Sequence, residues 1–331
     1  MIKFHFTFFD STVPTMPLKP YAIRIASRES RLAMVQSEWT AAKLRSLYPS
    51  ARVEIIGMTT KGDQILDKPL AQIGGKGLFI KELETALEEG RADIAVHSMK
   101  DVPMTLPSGF SIVIVGERED VRDAFVSNHF ASIESLPHGA VVGTSSLRRE
   151  SQLRHARPDL KIEPLRGNVN TRLAKLDAGK FDAIILAAAG LKRLGFHERI
   201  RGSLAPADYL PAIAQGALGI EYLSEHSHVG ALLVPFATEN TTAIVNAERA
   251  FGRALTASCD VPLGAHATLI DGGLSIDGFV AMPDGSRMLR RVMTGKVESA
   301  ESLGTALAEA LIEDGAGEIL ASLSRHSVDA R

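Results

Sequence analysis

The stretch EEGRADIAVHS (residues 88–98) ends a helix-like segment at Gly90 and continues directly into a buried, strand-like run. The same order returns in DAGKFDAIILAAAG (177–190), where Gly179 takes the corresponding place. Glycine is favoured just after a helix because it adopts the left-handed conformation without a side-chain clash. Both stretches therefore predict a helix that is followed at once by a strand.

A second pair of matching segments lies upstream of these stretches. AIRIA (22–26) and AVVGT (140–144) have strand-like patterns, and each is followed by a polar turn and a helix-like segment that stops near a proline. Short strands are then predicted within 52–58 and 161–167. Strands that alternate with helices are typical of parallel sheets. We therefore predict two α/β lobes built alike, with a cleft between them.

The last part of the chain has a different pattern. A helix is predicted over 240–255, short strands around Asp-Gly turns follow, and a closing helix is predicted over 299–315. This pattern indicates a small α+β domain. The segment 59–77 has no clear period and predicts a mobile lid or loop. The predicted division is a disordered extension over 1–20, domain 1 over 21–116 and 217–236, domain 2 over 117–216, and a C-terminal domain over 237–331.

Composition restricts the classes of function. The 331 residues carry a formal net charge of −2, which gives no overall field for nucleic acid or an anionic membrane. No apolar run reaches the roughly eighteen residues that a membrane helix needs, and the N-terminal patch is too short and interrupted for a signal peptide. The single cysteine excludes a disulfide within one chain and favours a reducing compartment, so we expect a cytoplasmic protein.

Four polar clusters lie where predicted strands end: residues 27–30, 97–101, 144–149 and 165–168. Ligands of open α/β sheets bind at the carboxyl ends of the strands, so these clusters are expected to share one cleft. Hydroxyls and arginines at a helix N-terminus favour anions, although ordinary helix capping with an exposed arginine is the alternative for any one turn.

Arginines are unusually frequent in the second lobe. A ligand that carries several carboxylates explains them better than nucleic acid does, because no aromatic residues are interleaved with them. These arginines are Arg148, Arg149, Arg154, Arg157, Arg166, Arg172, Arg193, Arg199 and Arg201.

The histidines at 226–228 lack a carboxylate or cysteine at a usual metal-ligand spacing, so no metal site is expected.

Two further features have both a catalytic and an ordinary interpretation. Lys100 and Asp101 follow a buried strand, and they are either catalytic or a solvated pair. Cys259 stands in ASCDVPLG, a loop-like sequence that favours exposure, whereas lone cysteines are most often buried as small apolar residues.

Several long motifs occur in order along residues 27–267 and resemble the porphobilinogen deaminase (hydroxymethylbilane synthase) family. They include SRESRLAMVQ, GGKGLFIKELE, DIAVHSMKDVP, GTSSLRR, LRGNVNTRL and SCDVPLGAHA. The resemblance implies two lobes like those of type II periplasmic binding proteins and a small third domain. It also implies head-to-tail condensation of four porphobilinogens to hydroxymethylbilane with release of four ammonia molecules, on a dipyrromethane primer attached by a thioether to Cys259.

By the same resemblance, Asp101 and Lys100 are the catalytic residues, and the carboxylates of primer and substrate meet a set of polar side chains. It further implies a cytoplasmic enzyme, which we expect to be a monomer that contacts the next enzyme of the pathway transiently. The binding set comprises Arg28, Ser30, Phe79, Lys100, Thr144, Ser146, Arg148, Arg149, Arg166, Gly167, Arg172, Arg193 and Gln215.

Four positions depart from the family pattern. Ala257 and Ser258 precede the cysteine where glycine is usual, Asp260 replaces a residue that is often Gln or His, and Ala214 replaces a common glycine before Gln215. None of them removes a reacting group. The alternative function, a two-lobed solute-binding protein without catalysis, gives no reason for Asp101 or for Cys259 on a Pro/Gly loop.

Overall fold

The computed structural model describes residues 22–64, 80–255 and 261–329. The predicted N-terminal extension, Phe79, Cys259 and most of the predicted lid at 59–77 lie outside the described residues. Within the described ranges, no helix combines the length and the apolar character that crossing a membrane requires.

The helices and strands alternate over residues 22–98 and 141–193, as the sequence predicted, whereas four strands follow one another without an α-helix over 94–143. In chain order, the helices and strands are β1 (Ala22–Arg28), α1 (Arg31–Leu47), β2 (Arg52–Met58), α2 (Lys61–Gln64), α3 (Lys81–Glu88), β3 (Ile94–Ser98), β4 (Phe110–Val115), β5 (Asp123–Val126), β6 (Val141–Gly143), α4 (Leu147–Ala156), β7 (Lys161–Glu163), α5 (Val169–Asp177), β8 (Ala183–Ala187), α6 (Ala188–Arg193), β9 (Gly202–Leu204), β10 (Leu218–Leu223), α7 (Ser227–Leu233), α8 (Glu239–Ala254), β11 (Leu263–Ile270), β12 (Gly273–Ala281), β13 (Met288–Gly295), α9 (Ala300–Leu311) and α10 (Gly317–Asp329).

The two lobes have equivalent five-stranded sheets, in the orders β2-β1-β3-β10-β4 and β7-β6-β8-β5-β9. In each sheet the first three strands are parallel, as predicted. The fourth strand of each sheet, β10 in the first and β5 in the second, runs antiparallel to both of its neighbours, which the sequence did not predict. The reason is visible at β10: the chain re-enters the first lobe at the cleft, where Leu218 pairs with Ser98 at the end of β3, so β10 must run against β3.

The strand order also shows that the chain crosses between the lobes twice. β5 follows the first crossing and belongs to the second sheet, and β10 follows the return and completes the first sheet. The two crossing segments, 116–122 and 205–217, therefore lie between the sheets. The predicted fold class, two α/β lobes followed by a small α+β domain, is confirmed.

The C-terminal domain packs α8 and α9 against the antiparallel sheet β11-β12-β13. Phe251, Ile276 and Leu307 are fully buried in its core. The predicted closing helix is divided: the chain kinks at Gly315, whose φ is 103°, and α10 continues beyond it. The predicted closing helix ended at that glycine, so the last helix was not predicted.

A buried ion pair joins the C-terminal domain to both crossing segments. Glu248 of α8 is fully buried and accepts hydrogen bonds from Arg118 at 2.7 and 2.9 Å. It also accepts from the backbone N–H groups of Ala214 at 2.7 Å and Ala267 at 2.8 Å. Arg118 in turn donates through Nε to the carbonyl of Gln215 at 2.8 Å. One carboxylate therefore fixes Arg118 of the first crossing, Ala214 of the second, and β11 of the third domain.

The backbone at Ala214 is strained. Its φ is 57°, a left-handed conformation that costs a residue with a side chain about 1 kcal/mol or more. A glycine would adopt this conformation freely. The hydrogen bond from Ala214 N–H to Glu248 holds the conformation here.

We expect Glu248→Gln to lower the free energy of unfolding by about 3 kcal/mol, because it leaves the buried Arg118 without a counter-charge. Thermal unfolding monitored by circular dichroism measures the effect. Glu301→Gln is the matched control, because it removes an ion pair with Arg253 in which Glu301 is 62% exposed, and we expect a change of about 0.5 kcal/mol or less. Equal melting temperatures for the two variants would contradict the role of Glu248.

Candidate active site

The end of β3 directs Asp101 towards the cleft. β3 leads into a single 3-10 turn, Met99–Asp101, in which Met99 is fully buried and Asp101 is exposed. The N–H of Met99 donates to the carbonyl of Ala217 at 3.0 Å, which fixes the turn against the second crossing segment. A pocket on this face brings together several predicted and unpredicted residues: Arg28, Ser30, Gln36, His97, Ser98 and Asp101.

Lys100 lies on the other side of the same turn and is half-buried. Its Nζ donates to Oε1 of Gln215 at 3.4 Å. Burial lowers the pKa of Lys100 to about 8, an effect that Asp101 and Asp123 oppose and that Arg149 and Arg148 reinforce. Lys100 therefore loses its charge at a lower pH than an ordinary lysine does.

Asp123, at the start of β5, is the main acceptor of the site and was not predicted. It is buried and forms ion pairs with Arg148 at 2.8 Å and Arg149 at 2.7 Å. Gln215 donates to it at 2.9 Å and also donates to the carbonyl of Val121 at 2.7 Å. Burial alone would raise the pKa of Asp123, but the two guanidinium groups outweigh it and hold that pKa well below the usual range. Asp123 is therefore ionised and orients both arginines.

The two arginines of α4 are more deeply buried than side chains on the surface of an open cleft are. Arg148 is 5% exposed and also donates to the carbonyl of Leu210 at 2.6 Å. Arg149 is 8% exposed and donates to the carbonyl of Ile185 at 3.0 Å. The Nε of Arg149 is buried and has no hydrogen-bond partner among the described residues. Arg149 thus keeps one donor for a further acceptor.

The turn before α5 brings further cations to the same place. Gly167 has a φ of 110°, and a Cβ there would come within 2.8 Å of Thr171, so glycine is required. Arg172 donates through Nε to the carbonyl of Gly167 at 2.7 Å. Burial, with Arg149 and Arg166 nearby, lowers the pKa of Arg172 to about 10, and Asp101 across the cleft opposes this. Arg172 therefore links the second lobe electrostatically to Asp101.

The remaining predicted residues have varied surroundings. Ser30 caps α1 by accepting from the N–H of Ala33 at 3.4 Å. Arg28 is paired with Asp63, and Arg193 donates to the carbonyl of Gly216 at 2.7 Å. Thr144 accepts from the N–H of Ser146, the N-cap residue of α4, at 3.2 Å.

Not every arginine of the second lobe belongs to the site. Arg154, Arg157 and Arg199 form ion pairs elsewhere, with Glu150, Asp159 and Asp177. Sequence proximity alone could not separate these arginines from the ones that face the cleft.

Two residues of the site, Gln36 and Asp123, were not predicted because the residues that they contact are distant along the sequence. Gln36 of α1 donates to the hydroxyl of Ser98 at 2.9 Å, one turn of helix beyond the predicted polar cluster. Asp123 follows Arg122 in an acidic and basic run that could have marked it, but only its burial shows its role.

The site therefore holds an excess of positive charge in a partly dehydrated cleft. Asp101 and Asp123 supply the negative charge that acts on Lys100, Arg148 and Arg172. Such an arrangement suits a ligand with several carboxylates, since guanidinium groups bind carboxylates in a bidentate manner. The cations are Lys100, Arg148, Arg149, Arg166 and Arg172. Among the described ranges, no group of three or more His, Cys, Asp or Glu side chains could hold a metal ion.

Comparison with known proteins gives concordant matches over most of the chain. Residues 23–231 match the family described as "Porphobilinogen deaminase, dipyromethane cofactor binding domain", and residues 242–313 match "Porphobilinogen deaminase, C-terminal domain". The porphobilinogen deaminase of Chromobacterium violaceum is 60% identical over 91% of this chain and 97% of its own length. That of Thiobacillus denitrificans is 57% identical over 92% of this chain and 99% of its own. Among solved structures, the aliphatic sulphonate binding protein SsuA of Escherichia coli aligns with a TM-score of 0.40 at 15% identity, over 73% of each chain.

We expect Asp123→Asn to lower the melting temperature markedly, with a loss of about 3 kcal/mol in the free energy of unfolding, because two buried guanidinium groups lose their counter-charge. Glu150→Gln on the same helix α4 is the matched control. It removes the partly exposed pair with Arg154, and we expect it to cost about 0.5 kcal/mol or less. Calorimetric melting of both variants measures the difference, and an unchanged melting temperature for Asp123→Asn would exclude Asp123 as the organising charge.

Proposed function

The chain belongs to the porphobilinogen deaminase family, and from that premise we propose that it condenses four porphobilinogen molecules head to tail in tetrapyrrole biosynthesis, with Asp101 as the catalytic carboxylate. The product is hydroxymethylbilane, and four ammonia molecules are released. The observation that supports the assignment of the site is the excess of cations around Asp101 and Asp123, because each pyrrole of the substrate carries an acetate and a propionate.

The residues of the site fit the dipyrromethane cofactor of the family. When bound, this group supplies the pyrrole carbon to which the first substrate is joined. We propose that Cys259, the one cysteine of the sequence, holds it through a thioether, although Cys259 lies outside the described residues. Gly264, shortly after that segment, lies against Arg148: a Cβ on Gly264 would be 3.1 Å from Cδ of Arg148. The chain beyond Cys259 therefore runs beside the cationic cluster.

Substrate and cofactor carboxylates are proposed to bind four members of the cationic cluster, Lys100, Arg149, Arg166 and Arg172. Arg149 offers its free Nε, and Asp123 keeps the guanidinium in place by its ion pair. Further contacts are proposed for the other residues that match the family motifs, namely Arg28, Ser30, Phe79, Thr144, Ser146, Arg148, Gly167, Arg193 and Gln215. Phe79 is outside the described residues, and Arg28 must exchange its contact with Asp63 to bind a ligand carboxylate.

Asp101 is proposed to stabilise the charge that develops on the substrate. The aminomethyl group of the substrate reacts in its protonated form: when the C–N bond of this ammonium group breaks, neutral ammonia departs with the bonding electron pair, and the substrate becomes a cationic methylene pyrrolenine. A carboxylate beside the pyrrole N–H lowers the energy of that cation. Once the new C–C bond has formed, Asp101 can accept the proton that the attacking carbon loses. A solute-binding protein without catalysis would not need an exposed carboxylate among these cations.

We further propose that the protein is a cytoplasmic monomer. The single cysteine fits a reducing compartment. Sedimentation at the mass of one 35.5 kDa chain supports the monomer, and a dimer at micromolar concentration contradicts it.

Asp101→Asn should keep the fold and the cofactor but lower kcat by at least about 100-fold, because it removes the charge that stabilises the cationic substrate. Release of ammonia from porphobilinogen measures turnover. Intact mass, with peptide mapping around Cys259, confirms that the variant carries the cofactor. Turnover near the wild-type rate in a loaded Asp101→Asn protein would refute the assigned role.

The pKa of Lys100 predicts a pH dependence. Lys100 is charged below pH 8 and neutral above it, so its attraction for substrate carboxylates is lost as the pH rises through about 8. We expect kcat/KM to fall above that pH by up to about tenfold per pH unit, since kcat/KM reports ionisations of the free enzyme. Lys100→Arg keeps its charge at these pH values and should remove the fall. If kcat/KM of Lys100→Arg falls in the same way above pH 8, the fall reports the ionisation of another group.

A further inference from the structure

We propose that Arg249 of the C-terminal domain is a positioning residue that fixes Asp101 by holding the three backbone carbonyls that follow it. The inference rests on the proposed role of Asp101 and adds to it a residue of the third domain that acts through the backbone. Arg249 lies on α8.

The contacts of Arg249 are directed at one short segment. Its Nη1 donates to the carbonyl of Val102 at 3.3 Å, and its Nη2 donates to the carbonyls of Pro103 at 2.6 Å and Met104 at 3.2 Å. These are the three residues directly after Asp101. A planar guanidinium group has the several donors in fixed directions that such a contact needs.

The surroundings of Arg249 are unfavourable for a charge, and the three carbonyls are the groups that offset this cost. Arg249 is 5% exposed, and no carboxylate of the described residues forms an ion pair with it. Burial and, to a smaller extent, the neighbouring Arg253 lower its pKa to about 10. A buried cation without a counter-charge is costly, so an apolar side chain would serve simple packing better. The three carbonyls account for an arginine at this position.

Asp101 is thereby held from both sides. On the upstream side, β3 pairs with β10, and the N–H of Met99 is bonded to Ala217. On the downstream side, the segment 102–104 is bonded to Arg249. The helix also packs closely there: a Cβ on Gly252, one turn along α8, would come within 2.8 Å of Sδ of Met104.

The same helix connects this contact to the rest of the site. Glu248, adjacent to Arg249, holds the crossing segment that carries Gln215. α8 ends at Ala254, shortly before Cys259 in the sequence. A single helix therefore contacts the backbone that follows Asp101 and ends, in the sequence, five residues before the cysteine to which the cofactor is proposed to be attached.

The test compares Arg249→Met and Arg249→Lys with the wild-type enzyme, all loaded with cofactor as shown by intact mass. Arg253→Met on the same helix is the control, because Arg253 pairs with the exposed Glu301. We expect kcat of Arg249→Met to fall by about 10- to 100-fold, because a small displacement of a catalytic group has effects of that order. KM should stay within about twofold, since the carboxylate-binding cations lie elsewhere. Arg249→Lys should be intermediate, and the control should match the wild type.

A double-mutant cycle separates positioning from general stability. In an Asp101→Glu background, where the carboxylate is already displaced, Arg249→Met should cost much less of the remaining kcat than in the wild type. An equal loss in both backgrounds would place the effect of Arg249 elsewhere and overturn the inference. So would a loaded Arg249→Met enzyme with wild-type kcat.

Hydrogen–deuterium exchange covers the case in which Arg249→Met fails to fold. Residues 99–106 of the loaded Arg249→Lys enzyme should exchange faster than in the wild type, in parallel with its lower kcat. Unchanged exchange together with unchanged kcat would overturn the inference. If the wild-type protein itself releases no ammonia from porphobilinogen, the proposed function fails, and the role of Arg249 fails with it.

Discussion

The buried ion pair between Glu248 and Arg118 is the contact on which the arrangement of the three domains depends. The carboxylate accepts four hydrogen bonds, from both nitrogens of the Arg118 fork and from the backbone at Ala214 and Ala267. Because these groups belong to the two crossing segments and the third domain, no domain can shift alone without leaving a buried charge uncompensated. The strained backbone of Ala214, and with it the place of Gln215, is maintained by the same carboxylate.

The candidate active site also depends on one buried carboxylate that compensates buried cations. The chain as a whole has a net charge of −2, yet its cleft collects cations. Buried cations would repel one another and lose their charge if nothing compensated them. Asp123 supplies that compensation for two arginines, and Gln215 connects it to Lys100 across the cleft. One protein carboxylate thus keeps several cations in place for the carboxylates of the ligand.

Much of this arrangement follows from the sequence, for reasons that differ between features. The two lobes were predictable because each repeats a helix, a glycine and a strand, a local pattern. HSMKD could be placed at the cleft because strand ends converge there. Glu248 and Arg118 could not be found in this way, because they are 130 positions apart and only the folded chain shows them buried together. Asp123 was missed for the same reason, and α10 because a glycine that kinks a helix looks like one that ends it.

The exchange of strands between the lobes also has a consequence for synthesis. All strands of the second sheet lie within residues 123–204, so that sheet is complete as soon as those residues have left the ribosome. The first sheet lacks β10 until residues 218–223 have been made, and until then β3 and β4 present unpaired edges. The sheet of the first lobe is therefore completed after that of the second lobe. While the second lobe is being translated, the nascent polypeptide exposes unpaired strand edges that can associate with other chains.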